Sequence, residues 1–310
     1  MTTASTPSLP ALGIQRLLEH LIDYAGLFPP AQLDMETAVA NYASYVAGPR
    51  HWMLERMIVP VSRLDEFEAA AAGMLPTGED DEPWALSVLV SPADSDTLEA
   101  DFERINAFNA AHCEPGQGLA IIDVVELKAD DSSAIDAALD LVPDNVFPFF
   151  EIPASNDPRG FVATLVGGEA GAKIRTGGVT ADLYPSVADV ARFIAACASA
   201  DVPFKATAGL HHPLRHFSEA VDCDEHGFLN VFVASVLASY HLLEPEEIAT
   251  ILEARTLDQF VMTHEGVGFG NWMVGPDDIE DARLSFAISY GSCSFDEPHA
   301  DLVSLGVLGS

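Results

Sequence analysis

Short apolar runs rich in β-forming residues alternate with longer stretches in which apolar residues recur every three or four positions. Runs that short, bounded by turn residues, predict strands, and the three-to-four spacing predicts amphipathic helices. Helical spacing opens the chain at 13–22 and again at 36–47. The run "RMIVPV" (56–61) is followed by a helix over 64–75, and "ALSVLV" (85–90) by one over 95–111. "LAIIDVVELK" (119–128) leads to 132–141, and "VFPFFEIP" (146–153) to 157–167. "AKIRTGG" (172–178) leads to 186–199, and "PFKATAG" (203–209) to 228–242. Helix 186–199 is the clearest: Pro185 suits a first turn, and Val187, Val190, Ala191, Ile194 and Ala198 form one apolar face.

With "DYAGLF" (23–28) as a first strand, the pattern contains seven strand–helix units. An eighth strand is due near the C-terminus, in "LSFAISYGS" (284–292) or within the glycine-punctuated "QFVMTHEGVGFGNWMV" (259–274). Repetition of this kind predicts an α/β fold, a (β/α)8 TIM barrel. One domain over 13–310 is expected, with an extra N-terminal helix, a flexible tail over 1–12, and an insertion at 244–280 before the last strand. That insertion reads as a hairpin lid. The main competitor is an open doubly wound sheet, but no GxGxxG or P-loop marks a nucleotide crevice.

Composition changes the picture of the surface. Acidic residues number 48 against 14 lysines and arginines, giving a net charge of −34, and only three of the cations are lysine. Such a balance suits a salt-rich cytoplasm, so the chain reads as halophilic, and it repels nucleic acid and anionic membranes. No apolar run reaches membrane-spanning length, and "MTTASTPSLPALG" lacks a signal core, so a cytoplasmic protein is expected. Cys113, Cys197, Cys223 and Cys293 show no CxxC spacing, which fits a reducing compartment. The acidic run "GEDDE" (78–82) reads as a solvated loop.

Against that background two lysines stand out, because both lie in strands. Alternation puts Lys173, Arg175 and Gly177 on one face of "AKIRTGG", with Ile174 and Thr176 on the other. In "PFKATAG" it groups Lys205, Thr207 and Gly209 opposite Phe204, Ala206 and Ala208. The apolar faces suit a helix layer, so the lysines are expected to point into the barrel, near the active-site end of such folds. A neighbouring cation and burial both lower an ammonium pKa, and a neutral lysine can form a Schiff base with a carbonyl. In the competing reading, buried carboxylates neutralise both lysines, which then only brace the barrel.

The segments "AKIRTGG" and "PFKATAGLHHP" resemble the sixth and seventh strands of the deoxyribose-phosphate aldolase family of class I aldolases. Lys173, Thr176 and Gly177 match that family's K-x-S/T-T-G strand, and Lys205, Ala206 and Gly209 its K-A-x-G-G strand. The resemblance implies that Lys173 is the Schiff-base lysine and Lys205 the assisting one. It also implies that Asp123 relays protons and that the strand in "SYGSCS" holds a substrate phosphate on backbone amides after a glycine. Ala208 and Arg175 depart from the family pattern.

Other candidates follow from position. On the fourth strand, either Asp123 faces inward with Val125 and Leu127, or Glu126 does with Val124. Glu151 ends an otherwise apolar strand, and Asp23 sits on the first one. His211, His212 and His216, with Arg215, follow the Lys205 strand, and His226 and Cys223 are near in sequence. Gly291 and Ser292 could offer amide donors to an anion. Cys293 shows no histidine–acid partnership in the sequence and reads as a small buried residue, while Trp52, Trp84 and Trp272 read as packing or rim residues.

The sequence thus points to a class I aldolase-like lyase. Lys173, Lys205 and Asp123 or Glu126 are the catalytic candidates, and Arg175, Thr207, His211, His212, Glu151, Asp23, Gly291 and Ser292 the substrate contacts. The partner is a small carbonyl compound; no cofactor and no metal are called for, and homo-oligomer formation stays open. Alternatives are a metal-dependent barrel hydrolase or isomerase using His211, His212 and His226, or a non-catalytic ligand-binding barrel. The charge carries its own test. The thermal midpoint should rise between about 0.1 M and about 1 M KCl, as the screening length falls from about 10 Å to about 3 Å. A flat or falling midpoint contradicts the halophile reading.

Overall fold

The computed structural model describes residues 10–155 and 157–309. Helix α1 (Leu12–Leu18) precedes strand β1 (Ile22–Tyr24), and α2 (Met35–Val46) precedes β2 (Leu54–Pro60). Then follow α3 (Leu64–Ala71), β3 (Trp84–Leu89), α4 (Leu98–Ala111), β4 (Ala120–Lys128) and α5 (Ser132–Leu139). Next come β5 (Phe147–Glu151), α6 (Arg159–Leu165), β6 (Gly171–Arg175), α7 (Val187–Ala200) and β7 (Phe204–Thr207). A small hairpin of β8 (His216–Ser218) and β9 (Cys223–Glu225) leads to α8 (Phe228–His241) and α9 (Pro245–Leu252). The chain ends with β10 (Phe260–Thr263), β11 (Gly266–Phe269), β12 (Trp272–Val274), α10 (Pro276–Ser285), β13 (Ala287–Ser292) and α11 (Asp296–Ser304).

Eight parallel strands close into a barrel in the order β1-β13-β7-β6-β5-β4-β3-β2. The expected (β/α)8 TIM barrel is therefore present, and β13, not the 259–274 segment, supplies its eighth strand. Residues 1–9 of the expected tail lie outside the described residues, and Leu12 already belongs to α1. Among the described residues no helix is long and apolar enough to cross a membrane.

Outward faces of the strands pack against the helices. Phe204 of β7 lies edge-on to Phe193 of α7 and stacks on Phe232 of α8. Helix α7 starts with a capping box between Ser186 and Asp189, which satisfies the first free amides of the helix. Helix α8 is buried continuously from Phe228 to Ala238, as its apolar circumference requires. The barrel covers one of its sides, and α9, α10, β11 and β12 cover others.

The 244–280 segment corrects one expectation. Strands β10, β11 and β12 form a separate antiparallel sheet against α1, α8 and α10, and His241 at the end of α8 bonds the Met273 carbonyl at 3.0 Å. Helices α1 and α10 feed the amino ends of β1 and β13, so this sheet covers the base of the barrel. It is not a lid: no residue of 244–280 lines the cavity at the mouth. Contact between Val267, Val274 and the buried faces of α1 and α8 holds it at the base.

The seating of this sheet depends on a close backbone approach. A Cβ added at Gly13 would lie 2.5 Å from the carbonyl carbon of Gly266 and 2.6 Å from its Cα and oxygen. Gly13→Ala should therefore destabilise the protein by about 1–3 kcal/mol in urea unfolding, the usual cost of overpacking. Gly160→Ala, where a Cβ meets nothing within 4 Å, should be neutral or stabilise by up to about 1 kcal/mol.

Candidate active site

Register alone places the central side chains. Glu151 of β5 lies beside Lys173 of β6, and Lys173 beside Lys205 of β7. Ala172 and Ile174 are turned to the helix layer, as are Phe204 and Ala206, so both lysines project inward as alternation predicts. Their amines meet a common carboxylate. Glu126 of β4 accepts from Lys173 through Oε2 at 2.7 Å and from Lys205 through Oε1 at 2.7 Å.

Each lysine has a second acid. Lys173 Nζ lies 2.8 Å from Glu151 Oε2, and Lys205 Nζ lies 2.8 Å from Asp23 Oδ2. Two buried hydroxyls complete the cluster: Ser87 donates to Glu126 at 2.6 Å and Ser289 to Asp23 at 2.6 Å. Arg175 donates from Nε to Glu151 Oε1 at 3.2 Å, closer to solvent. Three cations (Lys173, Lys205, Arg175) thus face three carboxylates (Glu126, Glu151, Asp23). Charges buried this deeply persist only when paired and hydrogen-bonded.

The pairing reverses the expected titration of Lys173. Burial alone would lower its pKa, but the Glu126 and Glu151 carboxylates outweigh it, and the net shift is upward. Glu126 shows the complement: burial favours its neutral form, yet the two ammonium groups hold it well below the usual carboxylate range. Glu151 is lowered too, with burial opposed by Lys173 and then Arg175. The second lysine does not make the first a free amine, because the carboxylate between them screens each from the other.

Above the cluster the mouth encloses a cavity of about 260 Å³. Phe28, Ile58, Leu89 and Leu183 supply apolar wall; Glu126, Lys173, Arg175, Thr207, His211 and Cys293 supply polar groups. Lys173 lines this space, whereas Lys205 lies beneath it. Gly291 also lines it, and a side chain there would press within 2.9 Å of Ile58 and 3.2 Å of Thr207. Glycine keeps that wall open.

Several expected residues stand elsewhere. The ambiguity on β4 resolves for the lysine pair in favour of Glu126. Asp123 is held by Arg56 of β2, at 2.8 Å to Nε and 2.7 Å to Nη2, toward the amino end of the barrel, so it relays no proton to the lysines. Asp23 touches Lys205 and Ser289 and does not line the cavity, so it supports the lysine and makes no substrate contact. Glu151 likewise acts on Lys173 and Arg175 from outside the cavity wall. His212 is turned away to Asp301 at 2.5 Å and packs edge-on against His216.

Ser292 bonds the Ser294 carbonyl, and it remains with Gly291 inside β13, paired with Tyr24 and Asp23 of β1. His226 is buried and neutral: burial pushes its pKa down to about 4, and Nε2 donates to the Pro185 carbonyl at 2.8 Å. Among the described residues no three His, Cys, Asp or Glu side chains are grouped to hold a metal ion.

Sequence reasoning passed over Ser87 and Ser289. Ser87 is a lone hydroxyl inside an otherwise apolar strand, and that isolation was a usable signal, whereas Ser289 shares its strand with Tyr290 and Ser292. It also passed over Phe28 of the loop after β1, and it read Cys293 as a small buried residue without a histidine partner, whereas the fold sets Cys293 on the cavity wall 3.8 Å from His211. Compared with known proteins, the chain matches no family model and no curated protein.

The ion cluster fixes how stability should vary with pH. Glu126 and Glu151 are lowered in the fold, so their contribution is present above about pH 4.3, the unfolded glutamate value, and is lost as pH falls through the lowered values. Lys173 is raised, so its contribution is present below about pH 10.4 and is lost as pH rises through the raised value. Thermal melts should show a plateau between these limits. Glu126→Gln should cost about 3–5 kcal/mol on that plateau and flatten the acid limb.

Proposed function

We propose that the chain is a carbon–carbon lyase of the class I aldolase type, acting on a small carbonyl compound through a Schiff base at Lys173. One observation carries this reading: Lys173 lines the mouth cavity, and its Nζ bonds two carboxylates. Barrels of this kind commonly serve enzymes, with reacting groups at the carboxyl ends of the strands. The resemblance of the Lys173 and Lys205 strands to the deoxyribose-phosphate aldolase family supports the same chemistry.

The charge balance defines how an amine can be freed. A proton moving from Lys173 Nζ to Glu151 along their 2.8 Å contact leaves the net charge of the cluster unchanged. Glu126 faces two ammonium groups and is the poorer acceptor. The neutral amine adds to the carbonyl carbon, and Glu151 returns the proton as water departs. The resulting iminium withdraws electrons from the adjacent carbon–carbon bond. Glu126 and Lys205 keep the counter-charge fixed beneath it. Arg175 and Thr207 provide donors for further substrate oxygens, and the apolar wall favours a substrate with few charges.

The raised pKa of Lys173 favours a second reading, a ligand-binding barrel in which the ammonium never yields its proton. Borohydride trapping separates the two. The protein is incubated with a panel of small aldehydes and ketones, reduced, and mapped by peptide mass. The lyase reading expects one reduced adduct at Lys173, absent in Lys173→Arg, which keeps the charge but cannot form the imine. Lys205→Met should slow trapping on the order of 100-fold. Saturable carbonyl binding without any adduct assigns the non-catalytic barrel instead.

A further inference from the structure

The mouth cavity holds a second nucleophile, in a part of its wall that the lysine chemistry does not use. Cys293 follows β13, and its Sγ lies 3.8 Å from His211 Nε2. The opposite ring nitrogen, Nδ1, lies 3.0 Å from Glu297 Oε2 on α11. Thiol, imidazole and carboxylate therefore form one line, and both Cys293 and His211 face the cavity. Glu297 fixes the ring so that Nδ1–H donates to it and Nε2 faces the sulfur. This is the arrangement by which a histidine activates a thiol for covalent catalysis.

We propose that Cys293, His211 and Glu297 form a thiol acyl-transfer site that takes small, uncharged esters. In the first half of the reaction the thiol proton moves to His211 Nε2 before attack, and the sulfur of the resulting thiolate–imidazolium pair then forms the sulfur–carbon bond. The carbon–oxygen bond to the alcohol then breaks, and the same proton leaves on the alcohol. In the second half a water adds to the thioester and gives its proton to His211. The carbon–sulfur bond breaks, the proton returns to sulfur, and the carboxylic acid departs. The balance is ester plus water giving acid plus alcohol, with no other reactant.

Three features agree with this assignment. Burial disfavours a charged His211, but its hydrogen bond to Cys293 and the Glu297 carboxylate outweigh burial and raise its pKa to about 9. The imidazole can therefore hold the transferred proton at neutral pH until the leaving group needs it. Walls of Phe28, Ile58 and Leu89 suit an uncharged acyl chain, and a volume of about 260 Å³ limits it to a small one. The three remaining cysteines provide internal comparison: Cys113 is exposed and bonds only a backbone carbonyl, Cys223 is half-buried on β9 outside the cavity, and Cys197 is fully buried.

The site stands apart from the Schiff-base proposal, since neither Lys173 nor Lys205 takes part. The test is acylation of the full chain by p-nitrophenyl acetate, with p-nitrophenolate release followed in time and the acetyl group mapped by peptide mass. The expected result is rapid acetylation of Cys293, ahead of Cys113, in the wild-type protein. His211→Ala should slow it about 100-fold although it opens the cavity further. Glu297 acts as a positioning residue. Glu297→Gln should lower the acylation rate constant on the order of 10-fold without changing the half-saturating ester concentration, and Glu297→Asp should recover part of the loss. Acetylation confined to lysines, or Cys293 reacting no faster than Cys113, overturns the proposal. So does a His211→Ala variant that acylates Cys293 as fast as wild type or faster, which would show the ring to be a steric barrier only.

Discussion

One carboxylate holds two ammonium groups at the centre of this barrel. Each oxygen of Glu126 serves a different lysine at 2.7 Å, and among the described residues no other group bonds both amines. Unpaired, any of the three would be too costly to bury. Paired, they position the floor of the mouth cavity and set its electrostatics. The arrangement also imposes a constraint: an amine held by carboxylates on two sides does not act until a proton moves inside the cluster. Any chemistry at Lys173 is therefore chemistry of the whole set, with Glu151 as the nearest place for the proton to go.

The contrast between inside and outside is sharp. The chain carries a net charge of −34, while the six charged groups around Lys173 sum to zero. The acidic surface sets solubility and the response to salt. The neutral cluster sets what can happen at the mouth, where an amine and a thiol open into the same small apolar space. Those two nucleophiles differ in what supports them. The amine depends on strands β4, β5 and β6, whereas the thiol depends on the loop after β7 and on α11. Loss of one support need not disturb the other.

Much of the barrel was legible because its signal is local. Alternation in "AKIRTGG" and "PFKATAG" was enough to aim both lysines inward, and helical spacing located α7 within a residue or two. Choosing between Asp123 and Glu126 failed for a definite reason. The pairing of β3 with β4 shifts register between Leu86 and Ser87, leaving Asp123 opposite no partner. A bulge breaks the strict alternation on which parity arguments rest, so both acids turn inward at different heights. The fate of 244–280 depended on Gly13 and Gly266 meeting across the fold, and no pattern within either segment announces that. The Cys293–His211 pair is separated by 82 positions, and only the pairing of β13 with β7, across the whole intervening 208–286 excursion, brings them together.

The Arg56–Asp123 pair has a bearing on traffic through the molecule. Together with Glu55 beside Arg56, and Arg283 bonded to the carbonyls of Leu17, Glu19 and His20, it ties together side chains at the end of the barrel away from the cavity. The three-stranded sheet lies over the same end. A molecule that reaches Lys173 through the mouth cavity leaves by the same cavity. If a bond is split inside, the two fragments queue: the piece nearer the rim departs first, and the piece on the amine waits its turn.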